Sequence, residues 1–200
     1  MRHPRTVDDV MTHAVVSARL DAPVKEIVRS MRRWGVSAVA VLSAEGRVVG
    51  VVSEADVLGK LPGEEPGGAG PVTAGSLMSA PAVTVPRGAT IAGAARLMGR
   101  DRLKRLPVVD GDGRPVGVVS RGDLLKIYLR SDAELAEDVR HELLTHLIPG
   151  GDTALTVRVE DGAVTLAGRL PQSVSPDLAL RLTRAVPGVV EAVADFTAPA

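Results

Sequence analysis

Two stretches of the chain pair a hydroxyl with a carboxylate at one spacing. Ser53 and Asp56 stand in "GVVSEAD" (50–56), Ser120 and Asp123 in "GVVSRGD" (117–123). Each pair ends an apolar run and precedes a helix-like segment. Two readings are open. Ser ahead of a helix is a favoured N-cap, and Asp three residues on resembles a capping box, where Glu or Gln is usual. Capping alone explains Ser-x-x-Asp. The second reading is binding. A strand entering a helix N-terminus points backbone N–H groups outward, where phosphate is favoured. The Ser hydroxyl reaches phosphate or sugar, and the Asp accepts hydrogen bonds from two ribose hydroxyls. Two such corners across one cleft make a nucleotide site without catalytic groups. The residues between them differ. Arg121 stands where the first stretch has Glu54. An Arg fork matches phosphate, and Glu repels it.

The elements that must hold these pairs also come twice. One offset of 67 aligns residues 10–60 with 77–127 without a gap, and 16 of the 51 pairs are identical, including Met11/Met78, Val41/Val108 and Asp56/Asp123. In each copy a short helix ("VDDVMT", "AGSLMS") leads into an extended piece. Apolar residues at helical spacing follow: Val24, Ile27, Val28, Met31 in one copy and Ile91, Ala94, Ala95, Met98 in the other. Two β-rich runs joined by the Gly-containing turns "SAEGR" and "DGDGR" come next, and then a helix. Each repeat therefore reads β-α-β-β-α. A unit of roughly 50 residues is marginal alone, so the two copies are expected to bury each other's apolar faces as a pseudo-twofold pair. Residues 61–75, "LPGEEPGGAGPVTAG", read as a flexible linker. They lack the Gly-Lys-Ser/Thr of a phosphate-binding loop.

Composition narrows the classes. Lys plus Arg equals Asp plus Glu at 24 each, so no global field recruits nucleic acid or an acidic membrane. The aromatics are Trp34, Tyr128 and Phe196, too few for a single-strand binder that stacks bases on rings. There is no cysteine, which suits a reducing compartment. No apolar run approaches the roughly 20 residues of a membrane helix, and "MRHPRTVDDVMT" has no signal-peptide core. A cytoplasmic protein is expected. No Ser-His-Asp or paired-carboxylate pattern stands out. His141 and His146 are five apart, a poor match to one helical face, so neither an enzyme nor a metal site is expected.

The motifs "VMT" and "LMS", "VAVLSAEGRVVGVVSEADVL" and "RLPVVDGDGRPVGVVSRGDLL" resemble a tandem cystathionine-β-synthase (CBS) domain pair, or Bateman module, over residues 7 to about 130. The resemblance implies CBS repeats at 7–60 and 76–130. It implies AMP, ADP, ATP or S-adenosylmethionine as a regulatory ligand, with no catalytic cofactor, and a homodimer through the repeats. By that resemblance Ser53 and Asp56 serve one site, and Ser120 and Asp123 the other. A basic residue before the apolar-Pro-Val strand meets phosphate in the family. The second copy has Arg105 there, and the first has Ala38. With Arg121 against Glu54, this makes the second copy the stronger expected site. The implied function is adenine-nucleotide sensing through ligand-dependent conformational change. The competing reading is a structural or dimerisation module with degenerate sites.

Residues 131–200 fall outside the repeat. "DAELAEDVRHELLTHLI" reads as a helix with Leu135, Val139, Leu143, Leu144 and Leu147 toward a core. "ALTVRVEDGAVTLAGRL" reads as a hairpin turning at "EDG". A helix at "SPDLALRLTRAV" and a strand at "GVVEAVADF" follow. This α-β-β-α-β order, with "VEDGAVTLAGRL" and "VPGVVEAV", resembles a BON domain, which implies phospholipid or protein interaction. Arg181 and Arg184 are the candidates for acidic headgroups, with a solvated helix face as the alternative. A protein partner is expected ahead of a membrane. The expected class is mixed α+β and α/β.

Overall fold

Within the first repeat, β1 (Ser17–Arg19), β2 (Ala38–Leu42) and β3 (Val48–Ser53) form a sheet, with α1 (Val24–Trp34) between β1 and β2 and α2 (Glu54–Lys60) after β3. The computed structural model describes residues 6–60, 72–147 and 155–196. Of the expected linker, 61–71 lie outside the described residues. The second repeat has α3 (Ala74–Leu77), β4 (Val85–Pro86), α4 (Ile91–Arg100), β5 (Arg105–Val109), β6 (Pro115–Ser120) and α5 (Arg121–Leu125). In both sheets the first strand is parallel to the second, and the second is antiparallel to the third. The registers match at the offset of 67: Ala38 faces Ser53, and Arg105 faces Ser120. Each Ser therefore closes its strand beside the first residue of the strand before it.

The repeats are joined by an exchange of N-terminal straps. Thr12 pairs with Val118 through N–H···O bonds of 3.0 and 2.9 Å, and Ser79 pairs with Val51 at 2.9 and 3.1 Å. Val7 N–H donates to Ala89 O at 2.9 Å, and Ala74 N–H donates to Ala22 O at 2.8 Å. All four contacts are reciprocal under the same offset. Each strap brings its methionine onto the other repeat's third strand. A Cβ at Gly50 would overlap Met78 Sδ, and one at Gly117 would overlap Met11 Sδ and crowd Thr12 O. Gly is needed at these two positions for close approach. The core follows the same logic. Ala74 and Leu77 join Ile27, Val39, Val41, Val52 and Val57 in the first repeat's buried cluster. One clasp has no twin: Arg87 donates two hydrogen bonds to Asp8 at 2.9 and 3.1 Å, whereas the aligned positions are Leu20 and Gly75.

The packing divides into two units, Thr6–Leu124 and Leu125–Ala200. Residues 125–130, assigned to the second repeat from sequence, thus group with the tail. Ile127 is buried there. Arg130 forms a buried ion pair with Asp138 at 2.7 Å and donates to Pro187 O at 2.8 Å. The unit continues through α6 (Asp132–His146), β7 (Leu155–Glu160), β8 (Ala163–Gly168), α7 (Pro176–Ala185) and β9 (Glu191–Phe196), with sheet order β7-β8-β9. The hairpin turns at Asp161 and Gly162, both at positive φ, as an Asp-Gly turn requires. The Asp132 carboxylate accepts from both of their N–H groups at 2.9 and 3.0 Å. Leu135, Val139 and Leu143 are buried as expected. Leu144 is 40 % exposed. It lies one residue, or about 100° of helix turn, past the buried stripe.

Candidate functional site

A cavity of about 310 Å³ lies between the two repeats. Both members of three aligned pairs line it: Ala38 and Arg105, Ala40 and Pro107, Val51 and Val118. The cavity therefore sits on the pseudo-twofold relation itself. It is not shared equally. The second repeat adds its motif, Ser120 and Asp123, and the first adds its strap and walls, Thr12, Ala14, Val16, Val36 and Val39. The second repeat's polar pair thus looks across at small apolar side chains of the first.

Strand β6 delivers Ser120 to the cavity edge, and the turn into α5 brings Asp123 back beside it. Asp123 Oδ2 accepts from Ser120 N–H at 2.9 Å and from its hydroxyl at 2.7 Å, and Ser120 Oγ accepts from Asp123 N–H at 3.2 Å. This is the capping box read from sequence, with Asp in the Glu position. It holds both side chains at the rim without removing them from the cavity. Arg105, at the start of β5 opposite Ser120, lines the same cavity.

The first motif has the same box. Asp56 Oδ2 accepts from Ser53 N–H at 2.8 Å and from Ser53 Oγ–H at 2.5 Å, and Ser53 Oγ accepts from Asp56 N–H at 3.3 Å. Ser79, on the second repeat's strap, donates its hydroxyl to Asp56 Oδ1 at 3.2 Å. Its aligned counterpart, Thr12, lines the cavity instead. Ser53 and Asp56 do not line this cavity. The walls that would face them by the offset are Pro81, Leu103 and Leu106, each larger than Ala14, Val36 and Val39.

Arg121 lies elsewhere. Its Nε donates to Leu103 O at 2.8 Å, and its Nη2 to Met98 O at 3.3 Å. The guanidinium covers the carbonyl end of α4, where the helix dipole favours a cation. It is not among the groups lining the cavity, so the charge change from Glu54 to Arg121 acts on a different face. Thr12, which ends the "VMT" motif, stands on the cavity wall. That Ala14 and Val36 line a cavity shared with the opposite repeat carried no signal in their own sequence pattern.

In the tail, Arg181 pairs with Asp177 at 3.3 Å, and Arg184 donates to Ala192 O at 3.0 Å. Both cations thus have partners within the domain. Among the described residues no helix is long and apolar enough to cross a membrane.

The family matches keep residues 125–130 with the second repeat, as the sequence reading does. The CBS-domain family model matches residues 7–63 and 74–130, and the BON-domain model matches 131–198. An uncharacterized protein of Methanopyrus kandleri is 27% identical over 141 residues, 68% of each chain. Inosine-5'-monophosphate dehydrogenase of Mycobacterium tuberculosis is 26% identical over 111 residues, 56% of this chain but only 20% of the enzyme. Among solved structures, CBSX2 in complex with AMP has a TM-score of 0.54 at 27% identity, covering 62% of this chain and 96% of that one; CBSX2 is a CBS-pair protein of Arabidopsis thaliana. The cytosolic domain of the Mg²⁺ channel MgtE in complex with ATP also has a TM-score of 0.54, at 28% identity over 62% of this chain and 48% of that one. With its duplicated sheets, exchanged straps and paired Ser-x-x-Asp corners, the chain belongs to the CBS-domain family, as a tandem CBS pair followed by a BON domain.

Proposed function

We propose that the protein is a regulatory adenine-nucleotide sensor whose principal site is the cavity between the repeats. One observation carries this reading. A single cavity collects Ser120, Asp123 and Arg105 against a wall of Ala and Val side chains. In this reading Asp123 holds the ribose hydroxyls, Ser120 the sugar or phosphate, and Arg105 the phosphate. Ala38, Ala40, Val16 and Val39 offer the adenine an apolar slot that needs no aromatic ring. AMP, ADP, ATP and S-adenosylmethionine are the ligands to test. CBSX2 with AMP and the MgtE domain with ATP support the ligand class at 27% and 28% identity.

The site has no chemistry of its own in this proposal. The dehydrogenase resemblance stops at the enzyme's CBS portion, 20% of its length. Because the walls come from both repeats, a ligand shifts their packing, and the BON domain carries the result to a protein partner in the cytoplasm. Isothermal calorimetry with the four ligands tests the reading. Asp123→Ala is expected to weaken binding by about 1–3 kcal/mol, the scale of a lost buried polar contact. Absence of binding by all four at millimolar concentration would sink it. A structural reading has one observation in its favour, and only for the first motif. The Asp56–Ser79 bond makes Asp56 a latch between the repeats. We therefore assign Ser53 and Asp56 mainly to that latch, with any nucleotide role secondary.

A further inference from the structure

Four segments of the tail unit meet around a cavity of about 320 Å³. They are the 3₁₀ turn Lys126–Leu129, the start of α6, the β7–β8 turn at Asp161 and Gly162, and the loop at residues 188–190. These walls are tied to one another at short range. Asp132 holds the β7–β8 turn through both of its oxygens. Val190 N–H donates to Gly162 O at 3.0 Å. A Cβ at Gly188 would stand 2.9 Å from Ile127 O, and one at Gly162 would stand 2.9 Å from Val190 Cγ2. The walls are thus set before a ligand arrives, which lowers the cost of binding.

The charges on the walls do not cancel. Arg130 lines the cavity, but its guanidinium is committed to the buried Asp138 and to Pro187 O. The positive end of α6 is committed as well, to the Ser131–Glu134 box and to Asp132 in its first turn. Two groups remain. Nothing among the described residues donates to the Asp161 carboxylate. The Tyr128 ring is exposed, and its hydroxyl has no partner among the described residues. Val190, also exposed, gives the cavity an apolar flank.

We propose that this cavity receives the guanidinium or ammonium head of an Arg or Lys side chain from a protein partner. The head meets the Asp161 carboxylate and the face of the Tyr128 ring, whose quadrupole attracts a cation. The methylene stem lies along Val190, as long basic side chains lie on apolar surface. An anion finds no uncommitted cation among the described residues of the cavity, and a neutral group would bury the Asp161 carboxylate without neutralising it. The size suits one side chain, since about 300 Å³ is the lower end of ligand cavities. The proposal rests on the reading of the tail as the domain that meets a protein, and not on the nucleotide cavity.

Titration of the isotope-labelled full chain, followed by amide NMR signals, tests this. The probes are N-acetylarginine methylamide, N-acetyllysine methylamide and the neutral N-acetylglutamine methylamide. Saturable shifts of the Gly162 and Gly188 amides are expected with the two cations and not with the neutral probe. Asp161→Asn removes the charge at a positive φ that Asn also adopts, and is expected to weaken the arginine probe at least fivefold. Tyr128→Leu, a change of an exposed ring, is expected to weaken it at least twofold and keeps the test valid if the first variant disturbs the turn. No saturable shift with either cation, or an affinity that both variants leave unchanged, overturns the proposal. Inorganic phosphate that shifts the same amides to saturation would put an anion in the cavity and overturns it as well. Neither Asp161 nor Tyr128 lines the nucleotide cavity, so AMP calorimetry on the same samples separates failure of this proposal from failure of the nucleotide reading.

Discussion

The two repeats share a backbone and differ in what they do with it. Both close a Ser-x-x-Asp box with the same bonds to within a few tenths of an ångström. In the second repeat the box opens on a cavity lined by the small residues of the first. In the first, Asp56 is also tied by Ser79 from the opposite strap. The side chains between Ser and Asp divide in the opposite sense. Arg121 closes the second repeat's outer face, and Glu54 leaves the first repeat's face open. The shared motif thus keeps one framework in both copies, and the side chains around it give the two copies different surroundings.

The sharpest way to test that comparison is at the strap glycines. A Cβ at Gly117 meets Met11 Sδ and also the Thr12 carbonyl oxygen at 2.9 Å, whereas the three atoms nearest to one at Gly50 all belong to the Met78 side chain. Overpacking costs about 1–3 kcal/mol. Gly117→Ala is expected at the upper end and Gly50→Ala at the lower, read from urea unfolding. Equal losses would mean that the two straps are energetically alike.

Next in size is the carboxylate pair. Asp56→Ala should cost about 1 kcal/mol of stability through the lost latch and weaken nucleotide binding less than Asp123→Ala does. Calorimetry that finds the same loss of affinity for both would erase the functional contrast.

Arg121→Ala separates the two roles its residue type allows. Removing hydrogen bonds to the Met98 and Leu103 carbonyls should lower stability by about 1–2 kcal/mol. Affinity for AMP or ATP should stay unchanged. A large fall in affinity would put the guanidinium on phosphate after all.

The smallest effect concerns the turn after each first helix. Gly35 has φ 62°, and its counterpart Arg102 holds φ 55°. A side chain in the left-handed region costs about 1–2 kcal/mol, and Gly returns part of that as lost chain entropy. Arg102→Gly should raise stability by about 0.5 kcal/mol. A fall in the thermal midpoint would show that the Arg102 side chain contributes more than its backbone costs.

Much of this was readable from the residues, for particular reasons. A gapless offset of 67 carries strand register with it, so β2–β3 and β5–β6 could be placed opposite each other before any coordinates. The hairpin at Asp161–Gly162 followed from the positive φ that its turn demands. The strap exchange was not readable. A repeat says which residues are alike, and not which ones touch. Met11 and Gly117 are each matched by a twin, and nothing in that match says that the methionine of one copy fills the notch of the other. Arg121 failed for a related reason. Its fork suits phosphate and helix carbonyls equally, and the carbonyls were 18 and 23 residues away in sequence. Arg105 lacked that competition, because its strand register already faced it toward Ser120.

The exchanged straps also bear on how the chain comes off the ribosome. Thr12 is made 106 residues before Val118, its pairing partner. At cellular rates of about 5–20 residues per second, that separation is roughly 5–20 s of synthesis. Through that interval Met11, buried in the finished protein, waits for the Gly117 notch that receives it. The first repeat likewise waits for Leu77 and Met78 before its cluster is filled and its Gly50 notch occupied. Vectorial synthesis therefore produces one late docking event in place of two successive ones. A boundary drawn between the repeats cuts the gene at a natural joint and the nascent chain in the middle of a folding unit.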